Sequence, residues 1–448
     1  MSVFVKWRHP LSGDSTLTDL GYSEVFEAGS FYHARYIDNS SVKYIQSISS
    51  KVADLTQIQA SAPVDAVLQN SATGFLQGVY PPVGTKYGSM KLANGTTVQS
   101  PLQGYQLISL SVVATGENSE DANWLQGTTS CPKATVSSNN YFLSSQYNEL
   151  LSSTTDFYHS LAPILTAAFN ESSMTYLNAY EIFDYLNVAR IHNSSTDFSH
   201  SGLLTNSVYH QLMTLANTHG YGLAYNASEP VRLIAGAILA GEILQGLNNT
   251  ITGTGELLDL QIGSYGTIFS FFGLMRLPKA SMDFNGIPDC ASSFVFELVT
   301  NATGGGIPVT DEIRVRFTLH NGTLTGSDEP VGYPLFGTSN ELISWSDFVS
   351  ETQKIAVTSD TNLCEMCELM TGSCATLDSN ASITADDSSS GSDGVSRPVA
   401  GVIGAMVTLA VILGLEALFF LTGGFTITQR RKVDRVAGTG GAMTGDKK

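Results

Sequence analysis

The chain has 448 residues, 42% of them hydrophobic and 14% charged, with 40 acidic against 22 basic side chains and a formal net charge of −18. That length holds two or three ordinary domains, or one large α/β unit carrying an insertion. The negative charge weighs against nucleic acid and highly phosphorylated polyanions as partners, and fits an acidic medium.

Taken in order, residues 2–7 read as a short apolar strand, followed by a polar turn at Ser12-Gly13-Asp14-Ser15 and a helical pattern from Asp19 to about Tyr36. Residues 147–192 place apolar side chains at helical spacing, as in Leu161, Ile164, Leu165 and Ala168, then Ala179, Ile182, Phe183 and Leu186. Residues 231–247 are apolar enough to tempt a membrane assignment, but they are short and carry Arg232 and Glu242, so a buried core helix is expected. Strand signals return at 257–262 and 292–300. In the next strand Ile313, Val315, Phe317 and Leu319 alternate with Arg314, Arg316 and Thr318 before Asn321-Gly322, the pattern of a half-exposed hairpin strand. The expected organisation is an α/β core from residues 1–130 and 250–375, interrupted by a helical insertion at 131–249.

Between Cys374 and Pro398 the sequence turns Ser/Asp-rich without periodicity, so residues 376–397 are expected to form a flexible stalk. Residues 398–421 then read as a single transmembrane helix, uncharged except for Glu416; the apolar stretch 399–421 spans about 34 Å at helical rise. Glu416 is read as a carboxylate near the inner interface, with a polar contact to a partner helix as the other option. The cluster Arg430-Arg431-Lys432 assigns the tail, residues 422–448, to the cytoplasm and the rest to the outside of a cell-surface or secretory-pathway membrane. Such an orientation needs an export signal. The residues after Met1 contain no apolar run of that length, so the true start is expected upstream or the first residues to be altered.

Nine Asn-x-Ser/Thr sequons, at Asn39, Asn94, Asn170, Asn193, Asn226, Asn248, Asn301, Asn321 and Asn380, all precede the membrane segment, as N-glycosylation in the secretory pathway requires. The five cysteines are Cys131, Cys290, Cys364, Cys367 and Cys374. With no histidine near the Cys364-x-x-Cys367 pair and an extracellular topology, disulfides are expected rather than zinc or redox chemistry, with one thiol left over.

Arg8-His9 ends the first strand, where an α/β sheet presents reactive side chains: the histidine can act as a nucleophile and the arginine can bind phosphate. Its surroundings carry more information. Leu17-Thr18-Asp19-Leu20-Gly21, Gly29, Tyr32 and Arg35-Tyr36 resemble the helix after the catalytic loop of the histidine acid phosphatase and phytase family. Similar stretches follow in family order: Ser61-Ala62-Pro63 to Tyr80-Pro81-Pro82, residues 178–192, 263–274 and 291–298, and Cys364-Glu365-Met366-Cys367. The likeness is greatest to fungal, membrane-anchored members, and it implies a histidine-phosphatase-like sheet core flanked by helices, with no cofactor.

The resemblance also implies a phosphohistidine mechanism. An Arg-His-Gly-x-Arg motif supplies the nucleophile and two cations, a later arginine completes the phosphate pocket, and a His-Asp pair supplies a further ligand and the proton donor. Here Arg8 and His9 match, but Pro10 replaces the glycine and Ser12 the second arginine. The later arginine aligns with Ala60, and the His-Asp pair with Ser264-Tyr265. The expectation is a catalytically impaired member acting as a surface binding or structural module. The alternative is an active acid phosphatase hydrolysing phosphomonoesters through His9.

Other candidates read as ordinary structure. Asp14 and Asp19 are helix-capping residues, and Thr303-Gly304-Gly305-Gly306 lacks the Lys-Ser/Thr and helix of a phosphate cradle. His159, His192, His200, His210 and His219 share no metal-ligand spacing. Tyr265 is a poor proton donor at acidic pH, since an unperturbed phenol titrates near about 10.

Overall fold

The first helix begins where Thr18 accepts a hydrogen bond from the Gly21 amide at 3.1 Å, and it runs from Asp19 to Tyr32 (α1), burying Val25, Ala28, Gly29 and Tyr32 on one side. Its last turn widens into a π-helical turn at His33–Ile37. In this computed structural model the described residues are 2–4, 16–113, 131–192, 202–263, 265–304, 306–326, 328–369 and 374. They lie within the unit formed by residues 1–381.

Four parallel strands form one half of the main sheet: β1 (Ser2–Phe4), β2 (Ile58–Pro63), β5 (Ser111–Val113) and β6 (Leu258–Gly263). The other half is antiparallel and consists of β7 (Ser292–Thr300), β8 (Ile313–His320), β9 (Val331–Tyr333) and β10 (Leu342–Ser344). The strand order is β10-β8-β7-β1-β6-β2-β5, with β9 also paired to β8. A separate exposed hairpin joins β3 (Ser89–Lys91) to β4 (Thr97–Gln99). Asn94-Gly95 marks its turn, with Gly95 at φ 86°, but each strand is three residues long and almost wholly exposed, so no buried face announces it.

Helix α2 (Ala66–Val79), capped by Asp65, crosses α1 so closely that a Cβ on Gly29 would lie 2.1 Å from the Phe75 carbonyl oxygen, and one on Gly78 2.2 Å from that of Phe26. Both helices cover the parallel strands, enclosing Ala60, Ala62, Leu260 and Ile262 in one apolar cluster. A second cluster lies at the antiparallel half and is dominated by Phe271, Phe272, Phe284, Phe294 and Phe317. The alternation read in β8 is real: Ile313, Val315 and Phe317 are buried between intermediate arginines. Asn321-Gly322 differs from expectation. It makes no two-residue hairpin, because β8 pairs β9 only from Leu319 to Val331. Instead the Asn321 Oδ1 accepts from the Asp289 amide at 2.9 Å, and the Gly322 amide donates to Ser292 Oγ at 2.7 Å.

The segment between the two α/β parts is helical: α3 (Pro132–Asn139), α4 (Ser145–Ser153), α5 (Ala179–His192), α6 (Asn206–Ala224) and α7 (Ile234–Thr252), with short turns between them. Residues of α4 to α6 share an aromatic-rich cluster that includes Tyr141, Tyr147, Tyr158 and Tyr176. Helix α7 instead packs Leu239, Ala240 and Leu244 into the sheet-side cluster with α8 (Tyr265–Leu274) and α9 (Trp345–Gln353). Within Pro230–Thr252, 61% of the most apolar window is buried, and Arg232 bonds to the Gly222 carbonyl at 3.0 Å, to the Ser137 carbonyl and to Glu229. This matches the core-helix reading. The expected stalk, membrane helix and tail lie outside the described residues.

Disulfides join Cys131 to Cys367, on α10 (Asp360–Cys367), and Cys364 to Cys374; Cys290 belongs to neither. The first ties the start of the helical segment to the last described helix.

Candidate functional site

Parallel strands in an open α/β sheet bind ligands beyond their carboxyl ends. Here the register puts those ends level: Phe4 pairs with Gly263, and since Ser61 pairs with Gln261, Pro63 reaches the same height. Helices α2 and α8 start from this edge, so their positive dipole ends lie beside it. The antiparallel strand β7 starts there too, with Ser292 opposite Phe4.

The sequence-derived site residues distribute unevenly over this edge. Arg8, His9, Pro10, Ser12 and Asp14 lie outside the described residues, on the chain that follows β1, and so does Ser264. Tyr265 opens α8 directly after β6. It is half-buried, with its ring centroid 4.8 Å from that of Tyr180 and edge-on to Phe269 at 6.0 Å. Ala60 pairs with Leu260, three residues short of the carboxyl edge, and is 2% exposed within the cluster beneath α1 and α2. Asp19 is the first residue of α1, and the capping oxygen there belongs to Thr18.

The described histidines do not converge. His33 Nδ1 is 2.7 Å from the Val79 carbonyl, and His320 Nδ1 is 3.0 Å from that of Gly322. His159 and His210 are exposed, and His200 lies outside the described residues. His219 is enclosed by aromatic rings, and burial pushes its pKa down to about 4. Among the described residues no group of three potential metal ligands forms. Of the described sequon asparagines, Asn39, Asn94, Asn170, Asn248, Asn301 and Asn321 are exposed and Asn226 is half-buried; Asn193 and Asn380 lie outside.

One polar assembly was not legible in the sequence. Glu297 on β7 lies opposite Arg316 on β8 and is ion-paired to it. It also accepts a hydrogen bond from Tyr36 at 2.5 Å and has Arg35 at 3.7 Å, while Arg35 reaches Glu329 at 2.5 Å. Tyr32 meets Ser293 at 2.7 Å alongside. Burial, reinforced by the Glu297 charge, pushes the Tyr36 phenol far above its ordinary range. Two guanidinium groups neutralised by two carboxylates brace the π-helical turn against the sheet; they are not poised for an anion. Arg190, in the last turn of α5, lies 4.6 Å over the Tyr209 ring, and the Tyr209 hydroxyl donates to Asn187 at 2.9 Å.

With this architecture in place, the family model of the histidine phosphatase superfamily, branch 2, matches residues 4–320. The chain belongs to this family. Its fold is similar to that of the phytase from Citrobacter braakii, at 14% identity and a TM-score of 0.52, over 82% of this chain and 97% of that one. It is equally similar to the Hafnia alvei phytase without ligand, at 11% identity and a TM-score of 0.52, over the same shares. At such identities the likeness is one of fold. No curated protein sequence matches the chain. In this member of the histidine phosphatase superfamily, the edge formed by β1, β2 and β6 is the candidate site, and Tyr265 is its described landmark.

Proposed function

We propose that this chain is a membrane-anchored, N-glycosylated histidine phosphatase homologue whose phosphoryl-transfer site is degenerate, and that it serves as a surface binding or structural module. The observation that carries this reading is the set of residues at the motif positions: Pro10 and Ser12 after Arg8-His9, Ala60 in place of the later arginine, and Ser264-Tyr265 in place of the His-Asp pair. Transferring phosphate from an ester to a histidine needs cations around the phosphoryl oxygens and an acid for the leaving alkoxide. One electrostatic donor of this kind is worth about 3–4 kcal/mol, so losing two arginines and the acid removes most of the transition-state stabilisation.

The surroundings support it. At the candidate edge Tyr265, which stands in place of the acid, is packed against Tyr180. The anchor rests on the apolar stretch at 399–421 followed by Arg430-Arg431-Lys432, which assigns the family domain to the outer side. Glycosylation rests on the nine sequons and on the exposure of most of the described ones. The test is phosphomonoester hydrolysis at acidic pH by the full chain beside His9→Ala. The same residual rate in both is expected. A rate that depends on His9 makes the protein an acid phosphatase instead.

A further inference from the structure

A groove of about 980 Å³ lies beside the carboxyl edge, between α6 and the segment that leads into β7. Its chemistry differs from that of a phosphate site. The charged side chains lining it are Glu229, Asp283, Asp289 and Arg232, and Arg232 is engaged by Glu229, the Gly222 carbonyl and the Ser137 carbonyl. Three carboxylates against one neutralised guanidinium repel a phosphoester. The rest of the lining combines carboxamides with phenol rings. Tyr221 and Tyr225 lie one helical turn apart with centroids at 5.2 Å. Close backbone packing beds the rings: a Cβ on Gly273 would meet the Tyr225 ring at 2.1 Å, and one on Gly222 the Tyr141 ring at 2.4 Å.

The carboxamides are oriented from behind. The Asn217 Oδ1 accepts from the Ile287 amide at 2.9 Å, and the Asn321 Oδ1 from the Asp289 amide and from Ser292 Oγ, both at 2.9 Å. With the carbonyl end of each so fixed, the Asn217 NH2 remains as a donor, and so does that of Asn321 wherever its sequon carries no glycan. Gln146 adds an exposed amide on the same lining. Fixed amide donors, carboxylate acceptors and flat aromatic walls match the hydroxyl groups and C–H faces of a pyranose.

We propose that this groove binds neutral carbohydrate. The proposal extends the binding-module reading by naming a ligand class, but its residues are independent of His9. Two sources share that chemistry. One is a free oligosaccharide. The other is a glycan of this chain, because the sequon residues Asn226 and Asn321 both line the groove.

The experiment uses the full chain from a glycosylating host, as wild type and as Ser228→Ala/Thr323→Ala, which abolishes both sequons while keeping both asparagines. Saturation-transfer NMR and calorimetry are run with N,N′-diacetylchitobiose, mannotetraose and cellotetraose, and with myo-inositol hexakisphosphate as the anionic comparator. At least one neutral probe is expected to bind the double variant saturably. Adding Asn217→Asp, which keeps the bond to Ile287, or Gln146→Ala should weaken it about tenfold with thermal unfolding unchanged. Equal binding by the wild type identifies free saccharide as the ligand; blocked binding, with a glycan found on Asn226 or Asn321, identifies the chain's own glycan. The proposal is overturned if no neutral probe binds the double variant, if both groove substitutions leave binding unchanged, or if only the hexakisphosphate binds. A His9-dependent phosphatase rate would sink the degenerate-site reading and leave this one standing.

Discussion

His219 sits 6% exposed among Tyr141, Phe142, Tyr147 and Tyr176, with ring centroids 5.3–6.3 Å away and, among the described residues, no hydrogen-bond partner for its Nε2. Protonation would place a cation where water cannot reach it, so its pKa falls from 6.5 to about 4. A depressed folded pKa means that the contribution to stability is complete above the unfolded value and is lost as pH falls from about 6.5 towards 4, on the order of 3 kcal/mol in total. Urea unfolding at pH 7.5 and pH 4 should show this loss in the wild type and a correspondingly smaller one in His219→Phe; identical pH sensitivity would contradict it. At this scale the sequence offers motif positions by likeness, but it gives no hint of the ion network around Glu297. That network joins residues 261 positions apart, as with Tyr36 and Glu297, and only the strand register brings them together.

The pairing of α1 with α2 depends on the absence of two side chains. Gly29 and Gly78 let the helix backbones touch, which fixes how both helices lie over the parallel strands and so where α2 begins at the site edge. Gly29→Ala should destabilise the protein by about 1–3 kcal/mol through overpacking, read as a lower denaturant midpoint with an unchanged slope. An unchanged midpoint would show that the crossing relaxes freely. Periodic elements were legible in the sequence: residues 292–300 form β7, and 313–319 fall within β8. Asn321-Gly322 was misread because a local turn rule cannot foresee that the asparagine side chain bonds to the chain ahead of β7.

Across the described residues, hydrophobic periodicity switches twice along the chain, into the helical elements between Pro132 and Thr252 and out of them again at β6. Strand adjacency was not legible, since β1 lies between β6 and β7 and those neighbours come from far along the sequence. The Cys131–Cys367 disulfide closes a loop of 236 residues and fastens the helical segment to the end of the core. Replacing both cysteines with serine should cost about 2–5 kcal/mol, measured as a fall in unfolding midpoint under non-reducing conditions. No change would mean that the packing of α10 alone holds that junction. The family fold and the proposed degeneracy of its motif together make one central claim, that the architecture persists where the chemistry does not. Steady-state hydrolysis of p-nitrophenyl phosphate at acidic pH tests it most directly: equal rates for the full chain and its His9→Ala variant are predicted, and a rate that collapses in the variant would contradict the account.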